Sequence, residues 1–214
     1  MKTYFIILFA FLTVAVSAQN KQSLFNGKDL IGWIIYVEDP AVDPEKFFYV
    51  KEGVIETPGV PVGYLRTEME YSNYRLHIEW RYPEKPTNSG VFLHASKPDK
   101  IWLTHYQAQL KHGNAGDFIV HGVGESATIR DSVYVSTETV KPVVPKLHPS
   151  NEKPAGQWNS FDITCNGNTI EVKVNGVLQN IATNCSLTKG AIGLQAEGSK
   201  TQFRNIWIEK IGVR

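Results

Sequence analysis

The side chains able to do chemistry in this sequence sit on short stretches in which polar and apolar residues alternate. His77, Glu79 and Arg81 interleave with Leu76, Ile78 and Trp80. Phe92 and His94 interleave with Val91 and Leu93. His105, Gln107, Gln109 and Lys111 interleave with Tyr106, Ala108 and Leu110, and Gln195 and Glu197 follow Leu194 and Ala196. Alternation with period two puts one set of side chains on one face of a strand and the other set on the opposite face. If these strands share a sheet, and their apolar sets face inward, one outer surface collects all the polar residues named. A face that only meets water usually carries Lys, Glu, Thr and Ser. This one is rich in His, Gln and Arg, with Phe92 and Trp102 nearby. Amides and imidazoles each donate and accept hydrogen bonds, and aromatic faces cover C–H groups. That combination suits a ligand rich in hydroxyls, such as a sugar.

The elements that must position these residues are strands. Phe161, Ile163 and Cys165 alternate with Asp162 and Thr164, and Ile170, Val172 and Val174 with Glu171 and Lys173. Asn166-Gly167-Asn168 between them predicts a tight hairpin, and Asn175-Gly176 turns the chain again. Ile192, Leu194 and Ala196 continue the pattern, and Phe203 to Ile211 predicts a closing strand. Long helical periods are missing. Short strands separated by Gly, Pro and Asn turns predict an all-β domain of two packed antiparallel sheets. The stretch Lys141–Pro154, with Pro142, Pro145, Pro149 and Pro154, predicts a long surface loop, either the rim of a site or an inert insertion.

The first residues predict export. Lys2 precedes an apolar run from Phe5 to Val16, and Val16-Ser17-Ala18 offers the small residues of a cleavage site. The expected organisation is a signal peptide over residues 1–18 and one domain over 19–214, secreted or periplasmic, with no later segment apolar enough to anchor it across a membrane. The 22 basic and 21 acidic residues leave a net charge of +1. No basic stripe appears, so a nucleic-acid partner is not expected. Cys165 and Cys185 leave open whether they join in a disulfide or lie apart as buried thiols. There is no phosphate-cradling glycine loop, no Gly-x-Ser-x-Gly elbow and no His-Glu-x-x-His helix. The turn His112-Gly113-Asn114-Ala115-Gly116-Asp117 either holds a catalytic His112 or Asp117 or is a plain hairpin loop; His121 and His148 read as packing or surface residues.

An ordered set of segments resembles the 3-keto-disaccharide hydrolase family. The opening Leu24-Phe25-Asn26-Gly27-Lys28-Asp29-Leu30 with Gly32-Trp33 is similar to that family's start. So are Tyr74 to Arg81, Asn88-Ser89-Gly90-Val91-Phe92-Leu93, Gln109-Leu110, Gly113 to Asp117, Pro154 to Asn159, Val174 to Val177, Gly193-Leu194-Gln195 and Phe203 to Ile206. The resemblance spans nearly the whole mature chain and implies a concanavalin-like jelly roll. Departures fall on the chemistry: Gln107 stands where the family usually has Glu, His94 where Arg is common, and Glu197 where His is common. An amide at position 107 cannot act as a base.

The resemblance implies cleavage of glycosides already oxidised to a ketone at C3. The carbonyl acidifies the C2 hydrogen, a base removes it, the C1 substituent leaves, and water adds back. Such a site needs a base, an acid and a group to hold the enolate charge. Glu197 with His94, His105 or His112 are the expected proton carriers. Glu79, Arg81, Phe92, Gln107, Gln109, Lys111 and Gln195 are expected to hold the sugar and the developing charge. A divalent metal on His and Glu is compatible with this set, though no spacing demands one. Two further readings use the same face: an ordinary glycosidase with Glu79 and Glu197 as its carboxylate pair, and a carbohydrate-binding module without catalysis.

Overall fold

The computed structural model describes residues 21–212, so the expected leader at residues 1–18 lies outside the described residues. The chain enters through β1 (Lys21–Ser23), β2 (Trp33–Val37), the short helix α1 (Pro44–Phe47), β3 (Tyr49–Lys51), β4 (Val54–Thr57) and β5 (Gly63–Thr67). The middle of the chain forms β6 (Tyr74–Arg81), β7 (Gly90–Ala95), β8 (His105–Gln109), β9 (Phe118–His121), β10 (Ser126–Ile129), β11 (Ser132–Val135) and β12 (Val143–Val144). It closes with β13 (Asn159–Asn166), β14 (Thr169–Val174), β15 (Val177–Ala182), β16 (Ala191–Ala196) and β17 (Thr201–Lys210).

Two antiparallel sheets result. One runs β12-β9-β8-β7-β16-β5-β2; the other runs β15-β14-β13-β6-β17-β4-β3 and takes β1 on β17. β10 and β11 form a separate hairpin. This is the expected jelly-roll sandwich. The expected turns are present: Gly167 takes φ 57° between β13 and β14, and Asn175 and Gly176 take φ 47° and 80° before β15. No helix among the described residues is long and apolar enough to cross a membrane.

The core lies between the sheets. Leu76, Ile78, Trp80, Phe161, Ile163 and Phe203 come from one side, and Val91, Leu93, Tyr106, Ala108, Ile192 and Leu194 from the other. Each Val, Leu, Ile or Phe among them contributes about 1.5–3 kcal/mol when taken fully out of water. β6 shows the expected alternation of buried and less buried positions, but β7, β8 and β16 are buried along their whole length. Their outward side chains are therefore covered as well.

The strands expected to share one sheet do not share it. β6 belongs to the eight-stranded sheet, whereas β7, β8 and β16 belong to the seven-stranded one. His77, Glu79 and Arg81 consequently stand on the opposite outer face of the sandwich from Gln107, Gln109 and Gln195. Period-two parity says which side of its own sheet a residue faces and carries no information about which sheet that is.

Cys165 and Cys185 are free thiols, both buried, and burial pushes each up to about 12. A thiol this far above its ordinary range is a poor nucleophile at neutral pH. Both should resist a thiol-specific reagent in the native protein and react only on unfolding. Stoichiometric labelling of either without denaturant would contradict this placement.

Candidate functional site

The residues on the outer face of the eight-stranded sheet satisfy one another. The His77 ring stacks on Trp207 at 5.1 Å, with Nδ1 2.7 Å from an Asp162 carboxylate oxygen. Arg204 Nε donates to Glu79 at 2.6 Å and Asn205 Nδ2 at 3.0 Å. Desolvation alone would raise the Glu79 carboxyl, but these bonds outweigh it and hold the group below its ordinary range. Arg81 donates to Gln202 at 2.6 Å and to the Gly156 carbonyl at 3.1 Å, and its guanidinium, like that of Arg204, lies over the Trp158 ring. Glu79 and Arg81 thus brace a sheet face, and neither reaches the face that carries Glu197.

On the seven-stranded sheet the expected set divides. His94 follows parity in sequence but not in space. It takes φ 52° where β7 slips register against β16. That left-handed twist turns its ring away from the outer face and onto Tyr74 of the core, at 5.9 Å, with Nδ1 bonded to the Leu187 carbonyl at 3.0 Å. Desolvation lowers its pKa. His112 lies beyond the end of β8, exposed, with Nδ1 3.2 Å from Glu152. Lys111 is exposed, and only its backbone N–H reaches the site, donating to Gln109 Oε1 at 3.1 Å. His94, His112 and Lys111 are therefore removed from the group.

Gln107, Gln109, Gln195 and Glu197 do come together. Gln107 Nε2 donates to Gln109 Oε1 at 3.1 Å and to Gln195 Oε1 at 3.2 Å. Gln195 Nε2 donates to Glu197 Oε2 at 2.8 Å. Gln109 Oε1 is in turn fixed by the backbone N–H of Leu110 at 2.9 Å. A line of amides anchored on the main chain therefore ends on one carboxylate, and each amide limits the rotamers of the next. Gly90 makes the line possible, because a Cβ there would fall 2.4 Å from Gln107 Nε2. Gly90→Ala should dislodge that amide and lower stability by about 1–3 kcal/mol, the usual cost of overpacking. Denaturant titration checks this, and an unchanged midpoint would show that Gln107 does not cross β7.

Beside the amides runs a series of rings. Tyr36 stacks on Tyr64 at 5.0 Å, and Tyr64 meets Phe92 at 5.7 Å. Phe92 lies 3.9 Å from His105, His105 stacks on His121 at 4.4 Å, and His121 stacks on Trp102 at 6.0 Å. His105 and His121 are directly opposed in register on β8 and β9, which puts both rings on one face. His105 is fully buried, and Phe92 nearly so, so these two form the floor rather than the surface. Burial brings His105 down to about 4. Burial, then His105 and Lys141, brings His121 down to about 2. Both imidazoles are neutral near pH 7, and His121 Nδ1 has no hydrogen-bond partner.

The open part of this face is a cleft of about 130 Å³ lined by Asn88, Trp102, Gln107, Gln109, Ile119, His121, Lys141, Gln195 and Glu197. Hollows of about 420 and 500 Å³ lie elsewhere, beside β1 and β17 and beside α1 and β2. Neither contains any member of the amide line or a displaced imidazole, so the smaller cleft is the chemically equipped one. Among the described residues Glu197 is its only carboxylate and Lys141 its only ammonium. Lys141 comes from the proline-rich loop, which is thus a rim, and its Nζ sits 4.9 Å from the centre of the Trp102 ring. Asn88, Ile119 and Lys141 lie outside the expected site residues, and His121, expected as a packing or surface residue, lines the cleft. Phe118-Ile119-Val120-His121 is apolar up to its last residue, so no polar and apolar alternation marks His121, and nothing in the sequence marks Lys141. No three His, Cys, Asp or Glu side chains among the described residues gather closely enough to hold a metal ion.

Residues 20–209 match the 3-keto-alpha-glucoside-1,2-lyase-like domain family. The chain belongs to that family. Solved structures with the same fold include a candidate glycosyl hydrolase from Parabacteroides distasonis, 20% identical, covering 91% of this chain and 95% of that one with a TM-score of 0.66. A carbohydrate-binding module from Bacillus subtilis is 12% identical, with coverage of 84% and 96% and a TM-score of 0.56. A beta-glucanase from Bacillus licheniformis is also 12% identical, with coverage of 89% and 97% and a TM-score of 0.56. No curated protein is similar to the chain in sequence. At these identities the solved structures speak for the fold alone, a jelly roll. The family carries the chemistry no further than its cleft residues allow.

Proposed function

We propose that this domain is exported and cleaves glycosides whose sugar already bears a ketone at C3, by elimination across C1 and C2 followed by hydration. The observation that carries this reading is the pairing, in one small cleft, of a single carboxylate with a single ammonium among groups that do not ionise near pH 7. A glycosidase of the two-carboxylate kind needs acids on both sides of the bond, and Glu79 lies on the other sheet. A C3 ketone removes the need for the second acid. Glu197 takes the C2 proton, and the electron pair moves into the C2–C3 bond as the carbonyl oxygen becomes an enolate. Lys141, with the amide N–H groups, stabilises that oxygen. Collapse of the enolate restores the ketone, forms C1=C2 and expels the C1 oxygen, which takes from Glu197 the proton removed at C2. Water then adds across C1=C2, and the net change is hydrolysis. Asn88, Gln107, Gln109 and Gln195 hold hydroxyls, and the half-exposed Trp102 ring covers the C–H side of the sugar.

A carbohydrate-binding module remains the second reading, favoured by the amides that fill the cleft and by Gln107 in place of the family's usual Glu. One experiment separates them: incubation of the mature domain with native and 3-keto disaccharides, with and without chelator. Release of the C1 substituent from 3-keto members alone is the expected result, and the chelator arm reports any metal requirement. Binding without turnover on every member would select the module.

A further inference from the structure

The outer face of the seven-stranded sheet runs on past the cleft, and its far half is built like a sugar platform. Tyr36, Tyr64 and Phe92 lie there as a row of rings across β2, β5 and β7. That half is roofed. The connection between β7 and β8, residues 96–104, folds back over it and buries Tyr64, Phe92 and Leu103 together in a small apolar cluster of their own. The roof is tied down by charge. Arg66 of β5 is only 3% exposed, and its Nε and Nη2 donate to the two Asp99 oxygens at 2.6 and 2.5 Å. Tyr64 Oη adds a bond to Asp99 at 2.9 Å. A forked guanidinium–carboxylate pair fixes orientation as well as distance. Breaking it leaves the buried guanidinium of Arg66 uncompensated, so the pair cannot open without disturbing β5.

We propose that residues 96–104 are a fixed end-stop that restricts the cleft to the terminal ring of a short glycan, and that the Asp99–Arg66 pair is the specificity-determining element holding it there. Trp102 belongs to this same connection, so the residue that stacks on His121 and faces the cleft is also the wall that closes it. The open volume, about 130 Å³, is small beside the roughly 300–1,000 Å³ of clefts that take larger ligands. A glycan continuing past its bound ring on this side would have to occupy the place of Leu103 and Asp99. The inference rests on the carbohydrate reading of the cleft.

The test is binding, measured by calorimetry with Glu197→Gln introduced into every chain, the otherwise native domain included, so that the probes are not turned over. The probes are a disaccharide with the ketone on its terminal ring and a trisaccharide with the ketone on its middle ring. The native domain should prefer the disaccharide by about 100-fold, the scale on which a built-in clash discriminates. In Asp99→Ala that preference should shrink at least about tenfold, with amide exchange accelerated in residues 96–104. A chain in which residues 97–102 are replaced by an Asn-Gly turn should behave likewise, and it carries the test should Asp99→Ala not fold. Equal affinity of the native domain for both probes overturns the end-stop while leaving the carbohydrate reading intact. An undiminished preference in a variant whose loop exchanges freely overturns the role of the pair. Binding of neither probe sinks the carbohydrate reading itself.

Discussion

Glu197→Gln should lower the turnover of a 3-keto-glycoside by at least about 100-fold, the range over which a positioned base contributes, while sugar affinity changes little. The substitution keeps the size and shape of the side chain and can still accept from Gln195 Nε2, now 2.8 Å from the carboxylate. What it removes is the ability to hold a proton. Lys141→Met should produce a loss of similar order, because it deletes the cleft's only cation while keeping a stem of comparable length over Trp102. The two losses should fall short of additive, since both groups serve one proton-transfer step. Single-turnover kinetics beside binding measurements separates chemistry from affinity. If Glu197→Gln retains more than a tenth of native turnover, the C2 proton has another acceptor.

The second large effect concerns acidity and stability. His105 and His121 are brought to about 4 and about 2 in the folded chain, from an ordinary 6.5. In the unfolded chain both regain ordinary values. Below about pH 6.5 the unfolded state therefore binds protons that the fold refuses, and stability falls as pH falls. The contribution is complete above about pH 6.5 and is lost progressively towards pH 4 and below. Each imidazole costs about 1.4 kcal/mol per pH unit in that window, so the pair removes about 4 kcal/mol between pH 7.5 and pH 5. That is a large part of the roughly 5–15 kcal/mol a domain commands. His94, lowered by desolvation, adds in the same direction. Urea titrations at the two pH values check the slope, and His121→Gln should remove about half of the His105–His121 share. A stability that stays flat, or rises on acidification, would mean that these rings are not held neutral.

The fold was legible because its signal is local. Alternation along Leu76–Trp80, Phe161–Cys165 and Ile170–Val174 and the Asn-Gly turns between strands are properties of a few consecutive residues, and each reappears in the sandwich. The line Gln107, Gln109, Gln195 and Glu197 was legible for the same reason, because parity within β8 and β16 is enough to bring them to one face. What failed depended on non-local facts. Consecutive strands β6 and β7 enter different sheets, and no period records that crossing, so Glu79 and Arg81 were grouped with the wrong partners. His94 was lost to one left-handed residue at a register slip. Lys141 arrives from a loop whose path is set by what it packs against, and Trp102 acquires its place through a connection anchored thirty-three residues away in sequence, at Arg66.

One feature of the larger sheet bears on how the chain can assemble at all. β17, near its C-terminal end, lies between β6 and β4 and also carries β1, so strands made first are bridged only by the strand made last. Until residues 201–210 have emerged, β6 has a bare edge and β4 has lost the neighbour that ties it to the rest. Joining of β1 and β4 to β6 must therefore wait for β17, and closure over such long sequence separations is slow. The nascent chain must pass through a period with unpaired strand edges, in which pairing with another copy competes with completion, so its yield should depend on concentration and on chaperones.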